Sequence, residues 1–211
     1  DITIINSNNR YEKVKNFFLK NKKKIILVIV IIILTPLILF SYLMYEKGHK
    51  KWLSDKYNSA IINYKTGDKT IATETMKEII NHKDKTYSPL ALYFLIDNDI
   101  ISSNEEINKY FDVIINEVSL DKEIKNLIIY KKGLFIADFE SENNLIKTLN
   151  PIINSDSVWK SHALYLLAEF FYDKNQYEKA KQFYNKILSN EKSNEKIVLE
   201  VQKRLNRDLS E

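Results

Sequence analysis

With no cysteine among its 211 residues, the chain can form neither a disulfide nor a thiol nucleophile nor a thiolate metal site. Its formal net charge of +4 is unevenly distributed, because residues 1–24 carry seven basic and two acidic side chains whereas residues 46–211 carry 25 basic and 26 acidic ones. The large C-terminal part therefore lacks the basic excess of a nucleic-acid-binding domain, and we expect no nucleic-acid partner.

An uncharged apolar segment, IILVIVIIILTPLILFSYLMY, occupies residues 25–45. At 1.5 Å per residue a helix of this length measures about 31 Å, close to the roughly 30 Å hydrocarbon core of a bilayer. The alternative, a helix in a soluble core, is disfavoured because such a helix keeps a polar face. We predict a transmembrane helix that stays as an anchor in the lipid bilayer, because no small-residue cleavage site follows it.

The basic residues before this segment predict its orientation, since basic flanks are retained on the cytoplasmic side. We expect residues 1–24 to form a cytoplasmic tail and residues 46–211 to lie outside the cytoplasm. In a bacterium with two membranes this means a single-pass protein of the inner membrane with a periplasmic domain. Residues 11–24 allow two interpretations: an amphipathic helix on the inner membrane surface, or a tail that only sets topology.

The remainder, residues 46–211, is predicted to be helical throughout. Apolar residues recur at spacings of three and four, glycine is rare, and the alternating pattern of strands is absent. Turn-forming residues divide it into helices of roughly ten to sixteen residues, a length that favours antiparallel hairpins. One helix start carries the pattern of a capping box, with Ser103 followed three residues later by Glu106.

Residues 161–194, SHALYLLAEFFYDKNQYEKAKQFYNKILSNEKSN, resemble a tetratricopeptide repeat, a helix–turn–helix unit of 34 residues. Two alanines stand where the helices of such a unit cross, Ala168 and Ala180, because a hairpin packs closely only where a crossing residue is small. The proline that ends the repeat is replaced by Lys192, which argues against a further repeat in register. The other residues that match the pattern are Leu164, Leu167, Phe171, Tyr177, Tyr184, Ile187 and Leu188.

The repeat pattern is weaker elsewhere. Residues 53–86 form a degenerate copy, with Ala60 at the small position and Gly67 in the turn, while residues 88–118 and 122–153 keep only the length of a hairpin. We therefore predict an all-α fold: an N-terminal transmembrane helix, a tetratricopeptide-like α-solenoid of about four hairpins, and a C-terminal capping helix. The alternative is a generic helical bundle.

No catalytic motif is found in the sequence. The three glycines are isolated, so the chain has no phosphate-binding loop or dinucleotide fingerprint, and it lacks serine-hydrolase and zinc-protease signatures. His49, His82 and His162 do not have the spacing of metal ligands. We predict that the protein is not an enzyme and uses no metal, cofactor or small-molecule substrate.

A solenoid of this kind presents the first helix of each hairpin along a groove. Tyrosines on that face would offer apolar area with a polar tip, which suits the binding of proteins or peptides. The alternative is that these tyrosines pack only against the neighbouring hairpin. The predicted groove residues are Tyr57, Tyr64, His162, Tyr165, Glu169 and Tyr172.

The layout as a whole resembles the YfgM-like family, single-span periplasmic tetratricopeptide proteins that are ancillary to the SecYEG translocon. The most specific match is the block from Leu149 to Leu188, where Leu149, Pro151, Ile153 and Trp159 precede the repeat. The resemblance implies an adaptor that links the exit of secreted proteins to periplasmic chaperones, without catalysis or cofactor. An alternative function is a cell-envelope tetratricopeptide scaffold in outer-membrane assembly or cell division.

Overall fold

The computed structural model describes the backbone of residues 2–208 and the side chains of residues 11–207. Throughout this part of the chain the regular structure is α-helix and no strand is present, which confirms the all-α prediction there. The helices are α1 (Ile2–Thr66), α2 (Lys69–Asn81), α3 (Tyr87–Asp97), α4 (Asn104–Glu117), α5 (Lys122–Ile136), α6 (Glu142–Ile153), α7 (Lys160–Asp173), α8 (Tyr177–Leu188) and α9 (Glu195–Asp208).

The chain divides into two units, Asp1–Ser54 and Asp55–Glu211. The first unit consists of the N-terminal part of α1, and its apolar side chains from Leu27 to Phe40 are each at least 42% exposed. An 18-residue stretch of α1 has a mean hydropathy of 3.0 and no buried residue, so α1 is long and apolar enough to span a membrane. A core helix of a soluble domain would instead bury one face.

In the second unit, helices that are neighbours in sequence are also neighbours in space. From α2 to α9 each helix packs against the next one, and α7 additionally contacts α5 and α9. Helices α7 and α8 form one of these pairs, and Ala168 and Ala180 are both fully buried in it. Small side chains at these positions let the two helices approach, as the sequence pattern indicates.

Gly133 marks a second close approach, between α5 and α6. A Cβ atom added at this glycine would lie 2.6 Å from Leu149 Cδ2 and 3.4 Å from Leu166 Cδ2. Leu149 belongs to a buried apolar cluster that runs from Ile129 in α5 to Val201 in α9. The core of the second unit is therefore continuous across its C-terminal five helices.

The helix ends follow local sequence only in part. Gly67, with a φ of +103°, provides the left-handed conformation in the turn between α1 and α2. Ser103 caps α4 by accepting the N–H of Glu106 at 3.2 Å, as the sequence predicts. The Glu106 carboxylate does not complete a capping box, because it binds Lys77 of α2 at 2.9 Å and the Tyr110 hydroxyl at 3.0 Å.

A buried hydrogen bond joins α2 to the start of α3. The Ser88 hydroxyl, which is fully buried, donates to the carbonyl oxygen of Ile79 at 3.0 Å. The Ile79 carbonyl also accepts the backbone N–H of His82 at 3.2 Å, so the buried Ser88 hydroxyl gains its partner by sharing an acceptor at the end of α2. This bond fixes where α3 begins relative to the end of α2.

Candidate functional site

Two of the predicted groove residues, Tyr57 and Tyr64, lie in the C-terminal part of α1 and pack against α3. The Tyr57 ring lies 6.0 Å from the Tyr87 ring and 6.4 Å from the Phe94 ring, measured between centroids. The Tyr64 ring meets Phe94 edge-on at 5.3 Å. Both tyrosines are thus brought together around Phe94, with their apolar faces directed toward a neighbouring helix.

His162 lies apart from these tyrosines, in an aromatic cluster between α5 and α7. Its ring centroid is 5.2 Å from that of Trp159 and 5.8 Å from that of Tyr130. Burial lowers the pKa of His162 from its usual 6.5, an effect that the backbone of Val158 partly opposes. The imidazole is consequently neutral at pH 7 and serves here as a packing residue.

The remaining three predicted residues, Tyr165, Glu169 and Tyr172, meet side chains of α8 and α9. Glu169 accepts a short hydrogen bond from the Tyr184 hydroxyl and a second one, of 2.7 Å, from Arg204 Nη2. The Arg204 guanidinium also lies 5.0 Å from the centroid of the Tyr172 ring. Burial, followed by the hydrogen bond to Glu169, raises the pKa of Tyr184 above its usual range. These contacts hold α9 against α7.

The six predicted residues therefore form three groups rather than one open surface. Each group contacts a neighbouring helix. Their role in binding a partner stays a prediction.

An open groove lies elsewhere, between α3 and α5, and we call it the α3–α5 groove. It consists of two adjoining depressions of about 360 Å³ each, which share Tyr93. Phe111 of α4 contributes to its floor, and this ring is packed 5.8 Å from that of Phe135. The apolar residues that line its walls are Pro89, Leu90, Ile96, Ile124, Leu127, Ile128, Leu134 and Phe135.

Helical periodicity explains how the sequence builds these two walls. Leu90 and Tyr93 lie one turn apart on α3, whereas Ile124, Leu127 and Leu134 recur at spacings of three and seven on α5. Three of them remain well exposed although they are large and apolar: Leu90 at 41%, Ile124 at 45% and Leu134 at 40%. The groove is therefore an apolar surface without a covering element in the part of the chain that the structure describes.

The Tyr93 hydroxyl is the one polar group of the groove centre that is both buried and without a hydrogen-bond partner among the described residues. Burial, together with the nearby carboxylate of Asp97, raises the pKa of Tyr93 to about 12. A buried hydroxyl with no partner loses its hydrogen bonds to water without compensation. It would gain from a ligand that brings an acceptor.

Charged residues of both signs stand at the two ends of the groove. Lys85 and Asp121 line one end, and Asp97 and Lys131 line the other. Among the described residues, none of these four takes part in an ion pair. They are accordingly available to a ligand that extends beyond the apolar centre.

Sequence reasoning missed this groove. The available signal was an excess of apolar residues: α3, YSPLALYFLID, is apolar on nearly every side although it buries mainly Ala91, Leu92 and Leu95. An apolar residue that is not required for the core points to a second contact surface. The sequence alone does not show that the exposed apolar face of α5 lies opposite the exposed apolar face of α3.

Among residues 11–207, no group of three or more His, Asp or Glu side chains is placed to hold a metal ion. Comparison of the chain with known protein families, with curated proteins and with solved structures found no match.

Proposed function

We propose that this protein is a membrane-anchored adaptor that binds other polypeptides in the α3–α5 groove. The observation that carries the proposal is the exposed apolar groove with the partnerless hydroxyl of Tyr93 at its centre. Exposed apolar area of this kind is typical of surfaces that bind protein partners. The role is non-catalytic and requires no cofactor.

The occupant that fits the groove is a polypeptide segment in extended conformation. Such a segment brings apolar side chains to the walls and free backbone carbonyls to Tyr93, whereas a helix uses its carbonyls internally. From Pro89 to Asp97 the α3 wall is about 12 Å long, which corresponds to about four extended residues. Charged residues flanking such a segment would meet the unpaired charges at the two ends.

The proposed architecture behind the groove is a solenoid of tetratricopeptide-like hairpins that α9 caps. Support comes from the sequential packing of α2 to α9 and from the buried alanines at the α7–α8 crossing. In this interpretation α1 (from residue 55), α3, α5 and α7 are first helices, which places the α3–α5 groove on the same face as Tyr57 and Tyr165. These tyrosines would then extend the binding surface beyond the groove.

The proposed location is the outer face of the inner membrane of a bacterium with two membranes. The basic tail before the apolar segment supports a cytoplasmic N-terminus and a periplasmic domain. The resemblance of residues 149–188 to ancillary translocon subunits supports a more specific role, in which the adaptor receives secreted chains at SecYEG and links them to periplasmic chaperones.

Topology is tested with reporters fused after Glu211. An alkaline phosphatase fusion, which is active only outside the cytoplasm, should be active, while a fusion to green fluorescent protein exported through SecYEG should be dark. Charge reversal of the three lysines at 22–24 to glutamate should lower phosphatase activity, because these residues favour cytoplasmic retention of the tail. An inactive alkaline phosphatase fusion together with a fluorescent green fluorescent protein fusion would contradict the proposed location.

Binding is tested with the full chain in lipid nanodiscs and with reduced, carboxymethylated α-lactalbumin as a soluble unfolded polypeptide. The wild type should bind it, and Leu90→Asp or Ile124→Asp should weaken binding at least about tenfold, because a charge replaces apolar contact in the groove. Leu199→Asp is the matched control, since Leu199 is 58% exposed but lies on α9, away from the groove. Equal loss in the control, or no binding by the wild type, would contradict the proposal.

The choice of partners is tested by site-specific photocrosslinking in cells. A benzophenone residue at position 134, in the groove, should yield adducts with SecY or with periplasmic chaperones. Adducts confined to outer-membrane-assembly or division proteins would instead establish the envelope-scaffold function.

A further inference from the structure

A second groove, which we call the α4–α6 groove, lies between α4 and α6 with α5 as its floor. Its volume is about 440 Å³. Ile115, Ile129, Ile136 and Pro151 contribute apolar area to its lining, but its walls also carry several polar and charged side chains. Those side chains are Asn108, Asp112 and Asn116 on α4, Glu140 after α5, and Asn144, Lys147 and Thr148 on α6.

The floor of this groove contains a buried lysine. Lys132 lies on α5 one turn from Ile129 and one turn from Ile136, and its side chain is only 11% exposed. Its Nζ donates to Asp112 Oδ1 at 2.7 Å, and Asp112 itself is 53% exposed. An ammonium group has three N–H donors, and this carboxylate oxygen is its one acceptor among the described residues. Two donors of a buried charge are therefore available.

An acceptor without a partner lies close by on α4. The side-chain oxygen of Asn108 is buried and has no hydrogen bond within the described chain. Asn108 is one helical turn before Asp112, the partner of Lys132. The floor thus combines unused N–H donors at Lys132 with an unused acceptor at Asn108.

A peptide group is the complement of this pair. Its carbonyl oxygen accepts from an ammonium, and its N–H donates to an amide oxygen. The walls continue the same chemistry, because Asn116 lies two turns beyond Asn108 and Thr148 faces the groove from α6. Two acidic and two basic residues line the groove, Asp112 and Glu140 with Lys132 and Lys147, so its charges balance and favour a ligand without large net charge.

We propose that the α4–α6 groove is a second polypeptide-binding site, which holds a polar segment through its main chain. The carbonyl oxygen of one peptide group accepts from Lys132 Nζ, and a main-chain N–H donates to Asn108 Oδ1. The site is independent of the α3–α5 groove, since the two share no lining residue. Together they would allow the chain to hold an apolar and a polar segment at the same time.

The experiment uses the full chain in nanodiscs and four fluorescein-labelled nonapeptides, Ser-Gly-Ser-X-X-X-Ser-Gly-Ser. The central triads are Asn-Ser-Asn, Asn-Glu-Asn, Gln-Lys-Gln and Ser-Thr-Ser, which contain no apolar side chain. Fluorescence anisotropy should show binding with affinities within about tenfold of one another, since the main chain is the recognised group. N-methylation of the central three amides should weaken binding at least about fivefold by removing N–H donors.

Two variants test the floor residues. Lys132→Met keeps the length of the side chain without its charge and should weaken binding at least about tenfold, and Asn108→Ala at least about threefold. Asn143→Ala is the matched control, because Asn143 is an exposed α6 residue that does not line the groove. Circular dichroism of each variant establishes that the helices form.

Failure of this proposal is distinct from failure of the adaptor function. The proposal is overturned if none of the four peptides binds the wild type, if N-methylated peptides bind equally well, or if Lys132→Met and Asn108→Ala both bind as the wild type does. Leu90→Asp should leave nonapeptide binding unchanged while it weakens binding of unfolded α-lactalbumin. A loss of both by Leu90→Asp would place the polar peptides in the α3–α5 groove and overturn the second site.

Discussion

Arg204 of α9 and Glu169 of α7 are joined by a 2.7 Å ion pair whose two side chains are 25% and 22% exposed. Glu169 is at the same time the acceptor of the Tyr184 hydroxyl of α8, so a single carboxylate connects three helices. α9 has no other helix beyond it among the described residues. The attachment of the last helix therefore depends strongly on this carboxylate together with the apolar contacts of Val201.

Replacing Arg204 with Met should release the C-terminal end of α9. Among the described residues the change leaves partly buried Glu169 with Tyr184 as its one hydrogen-bond partner, and we expect a loss of about 1–2 kcal/mol in the free energy of unfolding. Urea denaturation of the full chain in detergent, followed by tryptophan fluorescence, to which Trp159 in the second unit contributes, measures this loss. Lys203→Met is the control, because Lys203 forms a long 3.8 Å pair with exposed Glu200 and should change stability by less than about 0.5 kcal/mol.

Tyr93→Phe should change stability and binding in opposite directions. The substitution removes a buried hydroxyl that has no partner, so the free energy of unfolding should rise by up to about 1 kcal/mol. Binding of unfolded α-lactalbumin should weaken about threefold, because the acceptor on the ligand loses its donor. Tyr110→Phe, which removes a hydroxyl bonded to Glu106, should instead lower stability and leave binding unchanged. A stable variant with unaltered binding would show that Tyr93 does not contact the ligand.

Gly133→Ala should destabilise the second unit by about 1–3 kcal/mol. The new methyl group would lie 2.6 Å from Leu149 Cδ2 in a well-packed core, and relieving that overlap requires the buried Leu149 side chain to repack or α5 and α6 to move apart. Thermal unfolding of the two proteins measures the difference. Gly48→Ala is the matched control, since a Cβ there meets no atom within 4 Å and alanine is the better helix former.

Glu106 should contribute to stability in a pH-dependent way. The hydrogen bond from Lys77 lowers the pKa of this carboxyl below 4.5, burial opposes the shift, and the Tyr110 hydroxyl adds to it. A pKa that is lower in the folded state gives stability that is present above the unfolded value of about 4.5 and is lost as the pH falls through the folded value.

We therefore expect Glu106→Gln to lose less stability than the wild type between pH 5 and pH 3. Because about a third of the Glu106 side chain is exposed, the difference should be about 0.5 kcal/mol. Urea midpoints across this pH range provide the measurement. The neighbouring substitution Glu105→Gln should follow the wild-type curve, and a Glu106→Gln curve parallel to the wild type would refute the assignment.

The helical content and the long apolar N-terminal helix could be predicted from the sequence because both depend on local periodicity and length. Ala168 and Ala180 were also informative, since small residues at fixed spacing mark a close crossing of two helices. The cap at Ser103 was predicted correctly for the same reason, because it involves residues three apart. The contacts of Glu106 were not predicted correctly. Its carboxylate binds Lys77, a residue of a different helix, and no local sequence rule gives the position of that residue.

The candidate binding surfaces could be predicted only in part. The pattern predicts Tyr57 and Tyr165 as groove residues, but it does not reveal that the Tyr57 ring contacts Phe94 and the Tyr165 ring contacts Tyr184. Whether an apolar residue such as Leu134 stays exposed depends on the distance between α3 and α5. That distance results from packing across the whole core, which spacing within one helix does not encode.

The hydrogen bond from Ser88 to Ile79 spans the linker at 82–86 and constrains its length, although neither residue lines the α3–α5 groove. Because Ser88 precedes Pro89 and Leu90 directly, the bond sets the rotation and axial position of the α3 wall. An insertion or deletion in this linker would turn Leu90 and Tyr93 to another direction while leaving both residues intact. In homologous chains, loop length at this point would thus be a better guide to a working groove than the identity of its lining residues.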